Sequence, residues 1–296
     1  MPNGSAADLL ECGARSLDWR PYVKEGKLVA HHGGIVVDHA FEDSLDEILG
    51  WVNRHPQELV LMHIWDCGSD GSADCHALVN EALSAKKLRA VTDCNEMHNV
   101  SVGEAKKMGA LPSGGSLLPI VPARGRDVGE GCSKSNYNEK IRCWGPLSVA
   151  KNSDSDNRET ASVSTNANAT AGDVKGLFTY CCWDKSASKE TPIKHMTDYM
   201  RDAWMYSNNY PQPFWQIQAL WQENVGSVVF GEMHSSSLIN DESKSKLNHL
   251  TASYIESGKF KYLNYVEVNN VCDGGNRLHD ALTAFNSRHE NALETE

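Results

Sequence analysis

Short apolar runs alternate along the chain with segments that carry apolar residues on one helical face. The runs are continuous rather than alternating, which is typical of strands buried on both faces. We predict strands over residues 12–19, 28–31, 59–65, 116–121, 177–182, 214–220 and 262–268. We predict helices near residues 44–53, 73–83, 101–108, 193–206, 243–256 and 277–286. This repeated order of strand and helix predicts parallel β/α units.

Two local signals fix helix ends. Leu9–Gly13 is typical of a helix that ends at a C-cap glycine and runs into a strand. Ser101 and Glu104 have the spacing of a capping box, which predicts that a helix begins there.

The strand count limits the fold. A closed β/α barrel has eight strands, and the pattern supplies seven. Either a strand is hidden in the poorly patterned segment 86–97 or the chain begins one strand late, and we favour the late start. We therefore expect an α/β fold, a TIM-type (β/α) barrel that lacks its first strand in this chain and is N-terminally truncated.

The domain organisation is simple. Residues 151–173 are rich in Ser, Asn, Thr and Ala, which predicts a long surface insertion. Strands of the same kind continue on its far side. We predict a single barrel domain over residues 1–296.

Composition and charge exclude some classes of function. The 296 residues include 28 Lys and Arg against 39 Asp and Glu, a formal net charge of −11. An acidic surface repels phosphate backbones, so we expect no nucleic-acid partner. No run approaches the ~20 apolar residues of a transmembrane helix. Because the overall charge is negative, an anionic substrate must be bound by a local group of positive charges.

The cysteines and glycosylation sequons indicate the compartment. Nine cysteines are present, none in a C-x2-C pair, and sequons stand at Asn3, Asn99 and Asn168. The first residues lack a basic and apolar leader. We expect disulfides and an extracellular or secretory-pathway location, with buried reduced thiols as the alternative.

The densest group of polar residues lies near the front of the chain. Asp18 and Arg20 come at the end of one predicted strand, and His32 comes at the end of the next. Arginine binds phosphate through a planar fork, and histidine can protonate a leaving group. On spacing alone two interpretations stay open: a phosphodiester-cleaving site, or an ion pair at a strand end beside loop histidines.

The same segment resembles a known family. Gly13–Arg20 matches G-x-R-x-x-D-x-R, His32 precedes a glycine, and Pro56–Val60 ends a helix in the pattern P-x-E-x-V. These three motifs, in this order, resemble the catalytic X region of phosphatidylinositol-specific phospholipase C. The resemblance is strong over about a fifth of the chain, and later segments around Gln218 and Val266 resemble the family more weakly.

The resemblance implies a barrel that cleaves the glycerol–phosphate bond of an inositol lipid with two histidines. His32 matches the general acid, Arg20 the residue that bacterial members use where animal enzymes place a calcium-ligating carboxylate, and Asp18 the acid two residues earlier. It implies no cofactor, with calcium not favoured. It also implies a phosphoinositide or related phospholipid substrate at a membrane surface, and we expect a monomer.

The chain departs from the family at several points. The general-base histidine should lie upstream of Arg15, and no histidine precedes His31. We therefore expect little activity from this chain. The family's last strand often ends in an acid, where this chain has Asn269, with Glu267 and Asp273 nearby.

Other residues are weaker candidates. Substrate-binding roles are predicted for Arg124, Arg126 and Gln218. His63 is predicted to lie in the core or to line the barrel, and Asp66 is an alternative metal ligand. Three other functions stay open: a metal-dependent glycerophosphodiester phosphodiesterase, a sphingomyelinase-D-like barrel, and a non-catalytic phosphate- or lipid-binding barrel. Sensitivity to a chelator would separate the metal-dependent enzymes.

Overall fold

The structure is a computed structural model, and it describes residues 4–32, 34–64, 66–71, 74–92, 96, 100–121, 178–181, 184–185, 215–222, 240, 243–244, 246–258, 260, 263 and 265–293. The chain divides into two compact units, Met1–Asn136 with Lys175–Leu177, and Tyr137–Val174 with Phe178–Glu296. The single barrel domain stays a prediction. The insertion over 151–173 and the helix near 193–206 lie outside the described residues.

The first unit contains most of the described elements. Its helices are α1 (Ala6–Glu11), α2 (Phe41–Arg54), α3 (Cys75–Ala85) and α4 (Val102–Met108). Its strands are β1 (Ser16–Trp19), β2 (Pro21–Lys24), β3 (Lys27–His32), β4 (Ile35–Ala40), β5 (Leu59–Ile64), β6 (Gly68–Ser69) and β7 (Ser116–Ile120).

The start of the chain confirms the predicted helix end. Gly13 has φ 102°, the left-handed conformation that glycine adopts without a Cβ clash. Its N–H donates to the Leu10 carbonyl, and the Ala14 N–H donates to the Leu9 carbonyl. Because Cys12 and Gly13 complete this cap, β1 begins at Ser16 rather than at residue 12. The capping box at Ser101 and Glu104 is also confirmed.

Three parallel strands form a buried layer in the order β1-β5-β7. All five residues of β7 are buried, as are four of the six in β5. Alternate residues of β1 and β5, among them Trp19, Met62 and Ile64, pack in one cluster with the apolar face of α2. The continuous apolar runs in the sequence reflect this burial on both faces.

Helix α2 is held on this layer by apolar and polar contacts. Leu45, Ile48 and Val52 recur at helical spacing and have no exposed area. At its first turn, Trp19 Nε1 donates to Ser44 Oγ at 3.1 Å, and the Trp19 ring meets the Phe41 ring edge-on at 4.9 Å. The polar indole group is thereby satisfied inside the core.

The strand predicted over 28–31 is not part of the parallel layer. It is β3, and it pairs antiparallel with β2 and β4 in a separate sheet of order β4-β3-β2-β6. Glu25 and Gly26 both have positive φ, 50° and 76°, so they form the two-residue turn that joins β2 to β3. Counting β3 as a barrel strand was therefore wrong, because a two-residue turn can only reverse the chain.

Strand β4 is unusual among the strands of this unit. Its first three residues are apolar, yet Ile35 is 69% exposed and Val37 is 50% exposed. The strand lies at one end of the antiparallel sheet and pairs with β3 from His32↔Ile35 onward. It therefore extends an apolar edge outward from the residue predicted as the general acid.

The second unit contains β8 (Phe178–Cys181), β9 (Asp184–Lys185), β10 (Trp215–Gln218), β11 (Trp221–Gln222) and β12 (Tyr265–Glu267), with α5 (Leu247–Glu256) and α6 (Gly275–Leu293). Strands β8, β10 and β12 form a parallel sheet in the order β12-β10-β8. These strands confirm the three predicted late in the sequence, with shorter bounds.

The described residues form an α/β fold but do not close a barrel. Their parallel pairs lie in two three-stranded sheets, in the two-stranded sheet of β9 and β11, and between β2 and β6. Cys67 and Cys75, 8 residues apart in sequence, form a disulfide. Cys12 is disulfide-bonded as well, and so is Cys272, each within its own bond. The expected disulfides are thus present. None of the described helices is long and apolar enough to cross a bilayer.

Candidate functional site

Asp18 and Arg20 meet at the end of the parallel layer. Asp18 is the third residue of β1, and Arg20 follows directly after that strand. Arg20 Nη2 lies 3.3 Å from Asp18 Oδ2, and each side chain keeps between a fifth and a quarter of its surface exposed. The guanidinium is therefore held by a carboxylate while part of it stays open to solvent.

The antiparallel sheet brings His32 to this pair. The His31 N–H donates to the Arg20 carbonyl at 2.9 Å, which ties the end of β3 to the end of β1. His32 is the last residue of β3 and is exposed. The three residues predicted from the motif are thus assembled by two sheets that meet at residue 20, and not by neighbouring parallel strands.

The surroundings of His32 lower its pKa below the ordinary value of 6.5. Partial burial is the largest cause, and the positive charge of Arg20 is the next. Asp18 and Asp66 act in the opposite direction and raise the pKa, whereas His31 lowers it. The neutral imidazole is therefore favoured more than in an unperturbed histidine, and the protonated fraction rises as the solution is acidified.

Asp66 lies beside this group, after the end of β5. It has φ 56°, a left-handed conformation that is uncommon outside glycine, asparagine and aspartate. Its carbonyl oxygen accepts a hydrogen bond from His31 Nε2 at 2.5 Å. The sequence pointed to Asp66 only as an alternative metal ligand, and its contact with His31 was missed.

The segment after Asp66 is anchored at several points. β6 pairs with β2, the Asp70 N–H donates to the Val23 carbonyl at 3.1 Å, and the Cys67–Cys75 disulfide closes the segment. A Cβ on Gly68 would lie 2.7 Å from the Tyr22 ring, and that ring lies 5.4 Å from the His31 ring. A Cβ at this position would therefore force the segment or the Tyr22 ring to shift.

Two motif residues of the predicted family pattern have a structural role. Arg15 Nε donates to Glu58 Oε2 at 2.9 Å and Arg15 Nη2 to Glu58 Oε1 at 3.2 Å, a bidentate pair. Arg15 also bonds the carbonyls of Leu10 and Ala14 and lies over the Trp51 ring at 4.9 Å. The motif therefore joins the start of β1 to the start of β5 through Glu58, and to the last turn of α2 through Trp51.

His63 is buried in β5, as predicted, at 4% exposure. It stands in register with Asp18 on β1 and with Ile120 on β7, so these three residues share one face of the layer.

The remaining candidates lie in the second unit or outside the described residues. Gln218 is the last residue of β10, in register with Glu267 on β12. Asn269 and Asp273 follow β12. Arg124 and Arg126 lie outside the described residues. Their substrate-binding roles stay predictions.

The part of the chain that the structure describes contains no group of three or more His, Cys, Asp or Glu side chains arranged to hold a metal ion. The chemistry that this site offers comes from a guanidinium, two carboxylates and a neighbouring imidazole. Such a group can bind an oxyanion and transfer a proton.

Solved structures resemble this fold. A pentafluoro-phenylalanine-substituted phosphatidylinositol-specific phospholipase C from Staphylococcus aureus is 12% identical, with a TM-score of 0.52 over 93% of this chain and 82% of that chain. A second structure of the S. aureus enzyme, from work on its membrane binding, is 13% identical with a TM-score of 0.50 over the same shares. The enzyme from Listeria monocytogenes is 9% identical, with a TM-score of 0.48 over 93% of this chain and 81% of that chain.

Comparison by sequence adds nothing to this result, since no protein-family model and no curated protein matches the chain. The chain has an α/β fold of the kind found in bacterial phospholipases. More specifically, it has a phosphatidylinositol-specific phospholipase C-like fold, as the motifs around Arg20 and His32 predicted.

Proposed function

We propose that this protein is a phosphodiesterase of the phospholipase C type, which cleaves the glycerol–phosphate bond of an inositol lipid or a related phospholipid at a membrane surface. The observation that carries the proposal is the convergence of Asp18, Arg20 and His32 at the point where the two sheets meet. The similarity in fold to phosphatidylinositol-specific phospholipases C supports it.

Arg20 binds a non-bridging phosphate oxygen in this scheme, and the Asp18 carboxylate fixes the guanidinium. As the bond between phosphorus and the glycerol oxygen breaks, His32 donates its proton to that oxygen, and diacylglycerol leaves as a neutral alcohol. The nucleophile is a hydroxyl of the inositol ring, whose own proton must be taken by a base.

The general base that takes the proton of the inositol hydroxyl is the second role in the scheme. The scheme assigns this role to none of these 296 residues, since no histidine precedes His31. We therefore propose that the chain turns substrate over slowly and without calcium, with Arg20 in place of a metal. The disulfides support an extracellular or secretory location, and a monomer is part of the proposal.

A comparison of leaving groups tests the role of His32. A natural inositol phospholipid has an alkoxide leaving group that needs a proton, whereas p-nitrophenol leaves readily as an anion. His32→Gln should lower kcat on the phospholipid by about 10² or more, and should change kcat on a p-nitrophenyl inositol phosphate much less. His279→Gln, on α6, should leave both rates at the wild-type value.

Arg20→Lys completes the experiment. Because lysine keeps the charge but loses the fork, this variant should weaken inositol phosphate binding and slow both substrates equally. Equal losses on both substrates in His32→Gln would remove the general-acid assignment. Full activity in Arg20→Lys, or dependence on a divalent cation, would favour a metal-dependent phosphodiesterase. Binding of inositol phosphate with no turnover of either substrate would favour a non-catalytic protein.

A further inference from the structure

We propose that His31 and Asp66 are positioning residues for His32: the hydrogen bond from the His31 ring to the Asp66 carbonyl holds the Asp66 carboxylate at the His32 imidazole. The effect of this arrangement on catalysis rests on the proposed function and deepens it. The placement of Asp66 at His32 can be tested without any measurement of turnover.

The first support is the geometry of the contact. His31 Nε2 and the Asp66 carbonyl oxygen are 2.5 Å apart, and a carbonyl can only accept, so His31 is the donor. The residues are 35 positions apart in sequence. The bond therefore joins the end of the antiparallel strand β3 to the segment that follows the parallel strand β5.

The second support is the shape of the segment that Asp66 begins. Its left-handed φ turns the chain out of β5 into β6, and Gly68 lets the backbone approach the Tyr22 ring. Tyr22 in turn lies next to the His31 ring. His31 is thus held between Tyr22 and Asp66, and its backbone is bonded to Arg20.

The third support is electrostatic. Four charged or titratable groups act on His32: Asp18 from β1, Arg20 after β1, His31 from β3, and Asp66 after β5. Burial and Arg20 lower its pKa, and the two carboxylates counteract them. Asp18 is already paired with Arg20. Asp66 is therefore the carboxylate whose placement depends on His31.

The two roles that His31 could have predict opposite shifts of the His32 pKa when His31 is removed. If His31 were only a neighbouring cationic ring, removing it would raise the pKa of His32. If His31 positions Asp66, removing it also frees the carboxylate, which lowers the pKa of His32. His31→Gln separates these effects, because the amide can donate to the Asp66 carbonyl but carries no charge.

The experiment is a histidine-ring NMR titration of the full-length protein, with the His32 signal identified by its loss in His32→Gln. Asp66→Asn should move the His32 midpoint to lower pH, since asparagine tolerates the same φ and lacks the charge. His31→Ala should move it lower too, and His31→Gln should place it at or above wild type. Under the proposed function, His31→Ala should also cut kcat about tenfold or more, with His31→Gln restoring most of it.

A matched glycine pair displaces the segment without altering a charge. Gly68→Ala puts a Cβ against the Tyr22 ring and should lower the His32 midpoint, whereas Gly71→Ala has no atom within 4 Å of the new Cβ and should leave it unchanged. Thermal unfolding confirms that each variant folds. If His31→Ala does not fold, Asp66→Asn and Gly68→Ala decide the question.

An unchanged midpoint in Asp66→Asn, or an upward shift in His31→Ala equal to that in His31→Gln, would overturn the inference. These outcomes concern the titration alone. Failure of the proposed function would appear instead as normal titrations in a protein that never cleaves an inositol lipid.

Discussion

The two sheets of the first unit differ in what surrounds them. The parallel layer β1-β5-β7 is enclosed, with β7 buried along its whole length. In the antiparallel sheet, β4 is exposed over its first four residues and β3 is partly open at its end. Asp18 comes from the enclosed layer and His32 from the exposed sheet.

This difference separates two requirements of the candidate site. A phosphate-binding pair needs a fixed position, and Asp18 obtains it from β1, which pairs with β5 and packs Leu17 and Trp19 into the core. A proton donor needs access to the substrate, and His32 obtains it from an open sheet. Because β4 and the end of β3 are exposed, the position of His32 depends on specific polar links, of which the backbone bond from His31 to Arg20 is one.

The largest expected effect is a difference in stability loss between two isoleucine variants, one in the parallel layer and one in the antiparallel sheet. Ile64→Ala, at 2% exposure in β5, should lower the free energy of unfolding by about 2–5 kcal/mol, because it leaves a cavity against α2. Ile35→Ala, at 69% exposure in β4, should change it by less than about 0.5 kcal/mol. Urea denaturation of both variants measures the difference, and equal losses would mean that the two sheets are packed alike.

A smaller effect is expected where the parallel layer is tied to α2. Arg15→Lys keeps the charge but loses the bidentate bond to Glu58 and the backbone bonds, and should cost about 1–2 kcal/mol. Arg277→Lys is the control, since Arg277 also bonds both oxygens of Glu256 but lies on an exposed helix surface. Its stability loss should be smaller than that of Arg15→Lys, because exposed ion pairs contribute little. A larger loss at Arg277 would contradict the role given to Arg15.

The smallest expected effect is a pH dependence that belongs to the exposed sheet. Because the pKa of His32 is lowered by folding, the unfolded chain takes up this proton first as the pH falls through 6.5. The free energy of unfolding should therefore decrease from above pH 6.5 down to the lowered pKa and then level off. The wild type minus His32→Gln difference, measured by denaturation across this range, isolates the contribution. If the wild type minus His32→Gln difference in the free energy of unfolding increased as the pH fell, folding would raise the His32 pKa instead of lowering it.

The sequence predicted the parallel strands because their apolar runs are continuous, and it predicted Asp18, Arg20 and His32 because the motif keeps their order. It did not predict β2 or β4. Pro21–Lys24 is too short to show a period, and Ile35–Ala40 follows two glycines and is apolar without being buried. The signal that could have revealed the hairpin is the Glu25-Gly26 turn between two short apolar stretches.

The contact between His31 and Asp66 could not have been predicted. Strand alternation directs the His31 side chain to the face opposite that of His32, so a sequence pattern does not place it in the site. The bond depends on the left-handed φ of Asp66 and on the close approach at Gly68, and both follow from how the segment is anchored to β2. Such a conformation is fixed by long-range packing and leaves no periodic trace in the sequence.

The exposed apolar edge of β4 also bears on how the protein behaves at high concentration. Among the strands that the structure describes, β4 pairs with β3 alone, so its outer main-chain groups can accept a strand from another molecule. Ile35, Val36 and Val37 are β-branched and uncharged, which favours such growth, and Asp38 is the first charge that opposes it. The monomer expected from the sequence therefore depends on keeping this edge unpaired during expression and purification.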